Sequence, residues 1–230
     1  MLETCAVVQS LDTRERQELL ERTVPRQLGA GEVLFLAGES CDRIYLVLQG
    51  LMKLSACDEE GRETILGLAV PDDLVGDVGA LDGLGQPHDA IAVTNCVVLG
   101  IDAERFLEAM ERNGRAALDW ARAIAARSRW LGGAAQERGS SVVTARLAGR
   151  LLDLAEMVGH MCSGTIEIDL PLAQSDLGKL AGMSRESACR GLRKLQKDGV
   201  LTYERKKLRI FRPDALERIR CEGRAAEPCR

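Results

Sequence analysis

The sequence predicts an α+β protein in which an antiparallel β-roll is followed by a long helix and then by a winged helix-turn-helix. Three observations support this prediction. Short β-rich runs separated by glycine-containing turns fill the stretch from Pro25 to Ile101. A helical pattern begins at Asp102 and continues for more than thirty residues. Near the C-terminal end, two helix signals flank a glycine turn and precede a basic hairpin.

A chain of 230 residues is long enough for two modest domains, each with its own core. The changes of pattern place a β-roll domain at 1–108 and a long helix with a hinge at 109–141. They place the winged helix-turn-helix at 142–220 and a disordered tail at 221–230.

Charge is distributed unevenly along the chain. The net formal charge is −4, but residues 1–110 carry 20 Asp and Glu against 8 Lys and Arg. Residues 171–220 instead carry 13 Lys and Arg against 6 Asp and Glu. An acidic front half joined to a basic back half predicts separate roles, with a polyanion as the partner of the back half.

The first residues, MLETCAVVQSLDTRERQ, lack the basic-then-apolar pattern of a signal peptide, and no apolar run is long enough to span a bilayer. We therefore expect a cytoplasmic protein without a membrane partner. In that compartment the eight cysteines are expected to be reduced thiols rather than a disulfide framework.

Each element has its own signal. Leu11–Glu21 alternates charge and leucine at helical spacing, which predicts a short lead-in helix. The runs VLFLAG, RIYLVLQG, LMKLSAC, TILGLAV and IAVTNCVVLGI predict the strands of the roll, with turns at Gly31, Gly38, Gly50 and Gly61.

The long helix carries a seam of residues at alternating steps of four and three. This spacing is typical of a two-stranded coiled coil, and small side chains let two helices approach closely. The alternative is a core helix of a monomer, because periodicity alone assigns no partner. The predicted dimer seam consists of Ala117, Ala121, Ile124, Ser128, Leu131 and Ala135.

The segment SRESACRGLRKLQKDG predicts the second helix of the helix-turn-helix, with Ser184 as its N-cap. The first residues of such a helix meet base edges in the major groove. Arg185, Glu186 and Arg190 are the candidate base-reading residues, because Arg can bind guanine O6 and N7 and Glu can accept from the cytosine amino group. The alternative is a surface ion pair between Glu186 and Arg190. The preceding helix, the hairpin and the local positive charge favour DNA reading. Secondary or backbone contacts are expected from Ser184, Ser187, Cys189, Lys206 and Lys207.

Five motifs occur in order over nearly the whole chain: GEVLFLAGES, RIYLVLQG, DEEGRETIL, GDVGALDG and SRESACR. Together they resemble the bacterial cyclic-AMP receptor protein and fumarate–nitrate reductase regulator (Crp/Fnr) family of transcription factors. The resemblance implies a homodimer with a cyclic-nucleotide-binding-type β-roll and a long dimerisation helix. It also implies RNA polymerase as a partner, and that Arg185, Glu186 and Arg190 read a palindrome with TGTGA-like half-sites.

The resemblance fails at the effector pocket, for which the candidate residues are Gly76, Asp77, Val78, His88, Asp89 and Leu131. Where the family has a Glu for the ribose and an Arg for the cyclic phosphate, this chain has Asp77 and His88. Asp89 replaces a Ser or Thr, and Leu131 with Gly132 replaces a Thr–Ser pair. Histidine is largely neutral at pH 7, and Asp89 adds a negative charge where a phosphate would lie. We therefore expect that cyclic AMP is not the effector.

The cysteines and histidines are the candidate residues for a different effector of the family, an iron–sulfur cluster, haem or a redox signal. An iron–sulfur cluster requires the fold to gather Cys5, Cys41, Cys57 and Cys96, which show no CxxC spacing. Haem requires an axial ligand, for which His88 lies near the right place, although an exposed loop histidine is the simpler interpretation. Cys189 is a candidate redox thiol beside the bases, against the simpler role of a small apolar contact.

Enzymatic activity is not expected. The chain has two histidines and contains neither a P-loop nor a G-x-S-x-G motif, so no pair of nucleophile and base stands out. The alternatives are a roll domain tethered to an enzyme, for which too few residues remain, and an interaction module whose helix-turn-helix binds protein.

Overall fold

The computed structural model describes residues 5–21, 23–139, 143–169, 172–204 and 207–225 of the chain. The chain divides into two compact units, Met1–Arg129 and Trp130–Arg230. The division falls inside one long helix, and each unit has its own sheets and its own core.

The first unit is a roll of two four-stranded antiparallel sheets with flanking helices. One sheet has the strand order β1-β8-β3-β6 and the other β2-β7-β4-β5. In chain order its elements are α1 (Ala6–Gln9), α2 (Thr13–Leu20), β1 (Val24–Leu28), β2 (Val33–Phe35), β3 (Arg43–Gln49), β4 (Met52–Cys57), β5 (Glu63–Ala69), β6 (Leu74–Val75), α3 (Asp77–Asp82), β7 (Asp89–Ala92), β8 (Cys96–Asp102), α4 (Ala103–Arg112) and the first part of α5 (Gly114–Gly139).

The predicted strands of the roll and the predicted lead-in helix are present, with one difference in the bounds of each. The run IAVTNCVVLGI contains the end of β7 and most of β8, which are separated by a turn at residues 93–95. The lead-in helix begins at Thr13 rather than Leu11, because Asp12 and Glu15 form a capping box that defines its N-terminus.

The core of the first unit lies between the sheets and beneath the helices. Its central strands are buried over most of their length, and in β8 the four residues from Val98 to Ile101 are all buried. The ring of Phe106 in α4 meets that of Trp120 in α5 edge to face, with centroids 5.1 Å apart. The start of α5 is therefore packed onto its own unit through an aromatic contact.

The helical region after Asp102 is two helices rather than the single one predicted. Asn113 has extended backbone angles and ends α4. Its side-chain oxygen accepts from the backbone N–H of Ala116, and its amide group donates to the carbonyl of Ser10 and the carboxylate of Glu15. A short polar side chain that bonds the backbone favours a cap over a helix interior, and this competes with the apolar period on both sides.

The helix α5 is 26 residues long. Some residues of its predicted dimer seam pack against the first unit, and others are exposed. Ala117 and Ile124 are half-buried against the core of the first unit, whereas Ala121, Ser128 and Leu131 are exposed. The side chain of Ala135 lies outside the described residues. Two of the positions predicted to face a partner therefore face the helix's own unit. In the described part of the chain, neither α5 nor any other helix is long and apolar enough to cross a bilayer.

In its described residues the second unit contains four further helices and one four-stranded antiparallel sheet, in the order β11-β12-β10-β9. Its core is formed largely by leucine side chains from the helices and sheet. After the end of α5 its elements are α6 (Val143–Val158), β9 (His160–Cys162), β10 (Thr165–Asp169), α7 (Gln174–Leu180), α8 (Arg185–Lys197), β11 (Leu201–Glu204), β12 (Lys207–Ile210) and α9 (Pro213–Ala225).

A buried arginine lies in the core of the second unit. Arg150 is 2% exposed, and its Nη1 lies 2.9 Å from the Oδ2 of Asp153. Its guanidinium carbon lies 4.8 Å from the centre of the Trp130 ring, and Arg220 approaches Asp153 at 3.6 Å. Burying a charge is costly unless it is paired, and here a carboxylate and an aromatic face supply the compensation.

The predicted disordered tail is partly wrong. The helix α9 runs through Ala225 and so includes Cys221–Ala225, while residues 226–230 lie outside the described residues. Leu216 anchors this helix in the core, and an ion pair joins Asp214 to Arg218 one turn later. Once a helix is nucleated, each added residue gains a backbone hydrogen bond, so the helix extends past its apolar face.

Gly50 is a point at which the roll leaves no space for a side chain. Its φ is +94°, a left-handed conformation, and a Cβ there would lie 2.5 Å from the carbonyl oxygen of Asn95 and 2.6 Å from the Sγ of Cys96. Gly31 has a similar φ of +88°, but no atom lies within 4 Å of the corresponding Cβ position. Both glycines have a left-handed backbone, but only at Gly50 would a side chain overlap its neighbours. Comparing alanine substitutions at the two positions therefore distinguishes backbone strain from steric overlap.

Replacing Gly31 by Ala should cost about 1–2 kcal/mol of stability, because only the left-handed conformation is penalised. Replacing Gly50 by Ala should cost roughly 1–3 kcal/mol more, because the added methyl group overlaps the neighbouring strand. Urea unfolding followed by circular dichroism measures both variants. Equal losses would show that the turn relaxes and that the close contact is unimportant.

Candidate nucleic-acid interface and effector pocket

The helix α8 is built to present one face and bury the other. Ser184 has extended backbone angles, and its hydroxyl oxygen accepts from the backbone N–H of Ser187 at 3.2 Å. This is the N-cap predicted from the sequence. The buried face consists of Ala188, Gly191, Leu192 and Leu195.

The three candidate base-reading residues lie on the opposite, exposed face. Arg185, Glu186 and Arg190 are all exposed and occupy the first two turns of the helix. Within the part of the chain that the structure describes, Glu186 and Arg190 form no ion pair; instead the Nη2 of Arg190 donates to the hydroxyl of Ser187 at 3.3 Å. The alternative of a surface ion pair therefore has no contact to support it.

A contact between the two helices was not predicted from the sequence. The thiol of Cys189 in α8 donates to the side-chain oxygen of Gln174 at 2.8 Å. Gln174 is the first residue of α7, and both side chains are half-buried. The two residues lie 15 positions apart on different helices, so no local pattern in the sequence signals this contact. In this contact the Cys189 thiol acts as a hydrogen-bond donor, whereas the simpler sequence interpretation gave it the role of a small apolar contact.

The hairpin of β11 and β12 forms the predicted wing. Lys206 lies outside the described residues. Lys207 is exposed, but its Nζ lies 2.9 Å from the Oδ1 of Asp169 on β10. The hydrogen bond from Lys207 lowers the pKa of Asp169 below its usual value. A phosphate would therefore compete with Asp169 for this lysine.

The predicted ribose-binding Asp77 faces inward. Its side chain is almost fully buried at the start of α3, and its Oδ2 accepts from the indole Nε1 of Trp120 at 2.8 Å. The Nη2 of Arg127 pairs with the same oxygen, while the Nη1 of Arg127 donates to the carbonyl of Leu74 at 2.7 Å. Two residues of α5 thus satisfy the carboxylate from within the protein. Sequence reasoning missed both Trp120 and Arg127.

His88 is half-buried rather than an exposed loop residue. Its ring stacks on Phe35 with centroids 6.3 Å apart. The next residue, Asp89, begins β7, which pairs with β4. This pairing places the preceding residue, His88, against the roll. Burial lowers the pKa of His88 below its usual 6.5, so the ring is neutral at pH 7.

The remaining described residues of the candidate pocket do not supply a positive charge. The Oδ1 of Asp89 accepts from the backbone N–H of Ala37 at 2.8 Å. Gly76 is buried with a left-handed φ of +84°, and Val78 is half-buried. Leu131 belongs to the second unit and is 43% exposed. Among the described residues that form the first-unit part of this candidate pocket, the one cation is Arg127, and it is paired with Asp77.

The cysteines do not gather into a cluster. Cys5 and Cys96 are buried, Cys41 is half-buried and Cys57 is exposed. Within residues 5–225, apart from the short gaps in the description, no three His, Cys, Asp or Glu side chains meet in an arrangement suited to a metal ion. The described residues thus do not fit the four-thiolate site that an iron–sulfur cluster requires.

The lowered pKa of His88 predicts a pH dependence of stability. The unfolded chain binds a proton at this histidine more readily than the folded chain, so the free energy of unfolding falls as pH drops from 7.5 through about 6.5. Replacing His88 by Gln should flatten this part of the profile. Urea midpoints at several pH values measure it, and His160→Gln, at the exposed second histidine, is the matched control. Equal slopes for H88Q and the wild type would contradict the assignment.

Comparisons with known proteins agree with this architecture. A model of the cyclic nucleotide-binding domain family matches residues 25–113, and a model of the Crp-like helix-turn-helix domain matches residues 145–219. Together the two matches cover more than half of the chain.

Curated relatives match over nearly their whole length. The CRP-like cAMP-activated global transcriptional regulator of Mycobacterium tuberculosis is 23% identical over 218 residues, which are 95% of this chain and 97% of the relative. The cAMP-activated global transcriptional regulator CRP of Escherichia coli is 27% identical over 180 residues, which are 76% of this chain and 83% of the relative.

Among solved structures, FixK2 from Bradyrhizobium japonicum has the same fold, with a TM-score of 0.77 at 19% identity. The alignment covers 86% of this chain and 96% of FixK2. With both domains matched in order, the chain belongs to the Crp/Fnr family of bacterial transcription regulators and is a regulator rather than an enzyme.

Proposed function

We propose that this protein is a homodimeric regulator that binds a palindrome with TGTGA-like half-sites and acts on RNA polymerase in the bacterial cytoplasm. The observation that carries the proposal is the exposed face of α8, where Arg185, Glu186 and Arg190 lie on the first two turns. The buried opposite face holds this helix rigidly, so the three side chains are presented as a set.

The chemistry of these side chains fits G·C base pairs. An arginine fork matches the O6 and N7 acceptors of guanine, and a glutamate accepts from the cytosine N4 amino group. A TGTGA half-site contains two G·C pairs on which such contacts are available. Arg193, Lys194 and Lys197 continue the exposed face of the helix and supply positive charge toward the phosphates.

A second copy is the proposed partner for the exposed apolar side chains of α5. Leu118 is 51% exposed and Leu131 is 43% exposed, with Ala121 and Ser128 exposed between them. Large apolar side chains spaced along one helix gain about 25 cal/mol per Å² of apolar surface when another helix covers them. A dimer also supplies two reading helices for the two halves of a palindrome.

We propose further that cyclic AMP does not switch this protein. The mycobacterial and E. coli relatives are named as cAMP-activated. In this chain, however, the carboxylate of Asp77 already accepts a hydrogen bond from Trp120 and forms an ion pair with Arg127. His88 is neutral at pH 7, and Asp89 carries a negative charge. A cyclic phosphate entering this site would meet a carboxylate without an unpaired cation among the described residues.

Replacing Arg190 by Ala should cost about 1–3 kcal/mol on a TGTGA-like palindrome and remove the preference at one base pair. Replacing Lys207 by Ala should instead weaken binding to all sequences alike and reduce the salt slope by about 1. Gel-shift titrations at several salt concentrations, with a panel of symmetrically altered sites, distinguish the two effects. If R190A bound every site as tightly as the wild type, the assignment of α8 as the reading helix would be wrong.

Millimolar cyclic AMP should leave the affinity for DNA unchanged and give no saturable heat in a calorimetric titration at pH 7. The reason is that a ligand shifts a conformational balance only through its differential affinity for the two states. The E. coli relative, measured in parallel, verifies the assay. Saturable micromolar binding by this protein would restore the family's usual ligand.

A further inference from the structure

We propose that Ser187 is a specificity-determining residue that positions the guanidinium of Arg190 through a hydrogen-bonded chain with Ser184. This inference rests on the proposed function, because it concerns how Arg190 reads a base pair. The sequence places Ser187 only among general backbone contacts. The structure instead shows its hydroxyl engaged by side chains on both sides along α8.

The donors and acceptors of the chain can be assigned individually. Arginine has only donors, so the 3.3 Å contact requires that Arg190 Nη2 donates and Ser187 Oγ accepts. Ser184 Oγ already accepts from the backbone N–H of Ser187 at 3.2 Å. In the 3.1 Å contact between the two hydroxyls Ser184 donates and Ser187 accepts, so the Ser187 oxygen accepts from both Ser184 and Arg190.

This assignment leaves specific groups free at the exposed surface. Both lone pairs of the Ser187 hydroxyl are occupied, so its own hydrogen remains available, and phosphate oxygens are acceptors. Arg190 keeps four of its five N–H donors, which is enough for the two that a guanine edge requires. The chain therefore orients the arginine fork without consuming its reading capacity.

The energetic argument concerns preorganisation. A free arginine side chain has many rotamers, and ordering it on binding costs roughly 0.5–1.5 kcal/mol. A hydroxyl acceptor one turn earlier holds the guanidinium near its reading position before DNA arrives. Because the wrong base cannot use that position, loss of the acceptor reduces discrimination more than overall binding.

A competing role for Ser187 is a direct hydrogen bond to phosphate. That role carries no sequence information, so its loss would weaken all sites by the same factor. Structural support of α8 is a second competing role, which would change stability without changing base preference. The two substitutions used for the test must therefore differ only in the hydroxyl.

Ser187→Thr and Ser187→Val form such a pair, because both are β-branched and of nearly equal shape, and only Thr keeps the acceptor. Gel-shift titration of each full-length variant against the panel of altered palindromes gives discrimination at the base pair that Arg190→Ala identifies. We expect S187V to lose roughly three- to tenfold of that discrimination relative to S187T. In an R190A background the two variants should become equal.

Equal discrimination by S187T and S187V in the presence of Arg190 would overturn the inference, as would a uniform loss on all sites. A difference that persists in the R190A background would also overturn it, because the hydroxyl would then act on another group. Failure of the proposed function has a separate signature, since the wild type would then bind every palindrome of the panel alike.

Discussion

The buried carboxylate of Asp77 is the constraint on which the first unit depends. An isolated charge in the protein interior is costly, and leaving one unpaired by removing its partner costs about 3–5 kcal/mol. Trp120 and Arg127 both reach this carboxylate from the first part of α5, so that part of the helix must lie against its own unit for the charge to be tolerated. The turn between β6 and α3 and the path of α5 are thereby determined together.

The same pair accounts for the altered pocket. In a site that binds an anionic ligand, the ligand neutralises the cation, whereas here Asp77 does so within the chain. The neutral, half-buried ring of His88 adds packing against Phe35 rather than charge. The family membership and the altered polar residues of the pocket are therefore compatible, because the backbone of the roll is retained while Asp77 faces inward.

Local signals in the sequence were sufficient to predict the helix α8 of the second unit. Ser184 as a cap, the period of Ala188, Leu192 and Leu195, and the turn before them predicted α8 and its exposed face, because all of these interactions lie within a few residues. The β-strands of the roll were predicted equally well from short β-rich runs separated by glycine-containing turns. The helical extension into the tail was missed because propagation of a helix leaves no apolar signature.

The remaining errors arose where the deciding partner is distant in sequence. Asp77 and Arg127 are fifty residues apart, and no pattern in either neighbourhood specifies the other. His88 was judged by its loop, but the neighbouring strand places it against Phe35. Asn113 interrupts the helical region because its amide reaches Ser10 and Glu15, about a hundred residues earlier. Tertiary contacts of this kind override local propensity.

The two tryptophans of the chain give each unit its own optical probe. Trp120 donates its indole N–H to a carboxylate in the first unit, and Trp130 lies against the Arg150 guanidinium in the second. The two indoles therefore lie in different electrostatic surroundings. Intrinsic fluorescence therefore contains two separable signals, and single Trp→Phe variants would assign a spectral change to one unit without an added label.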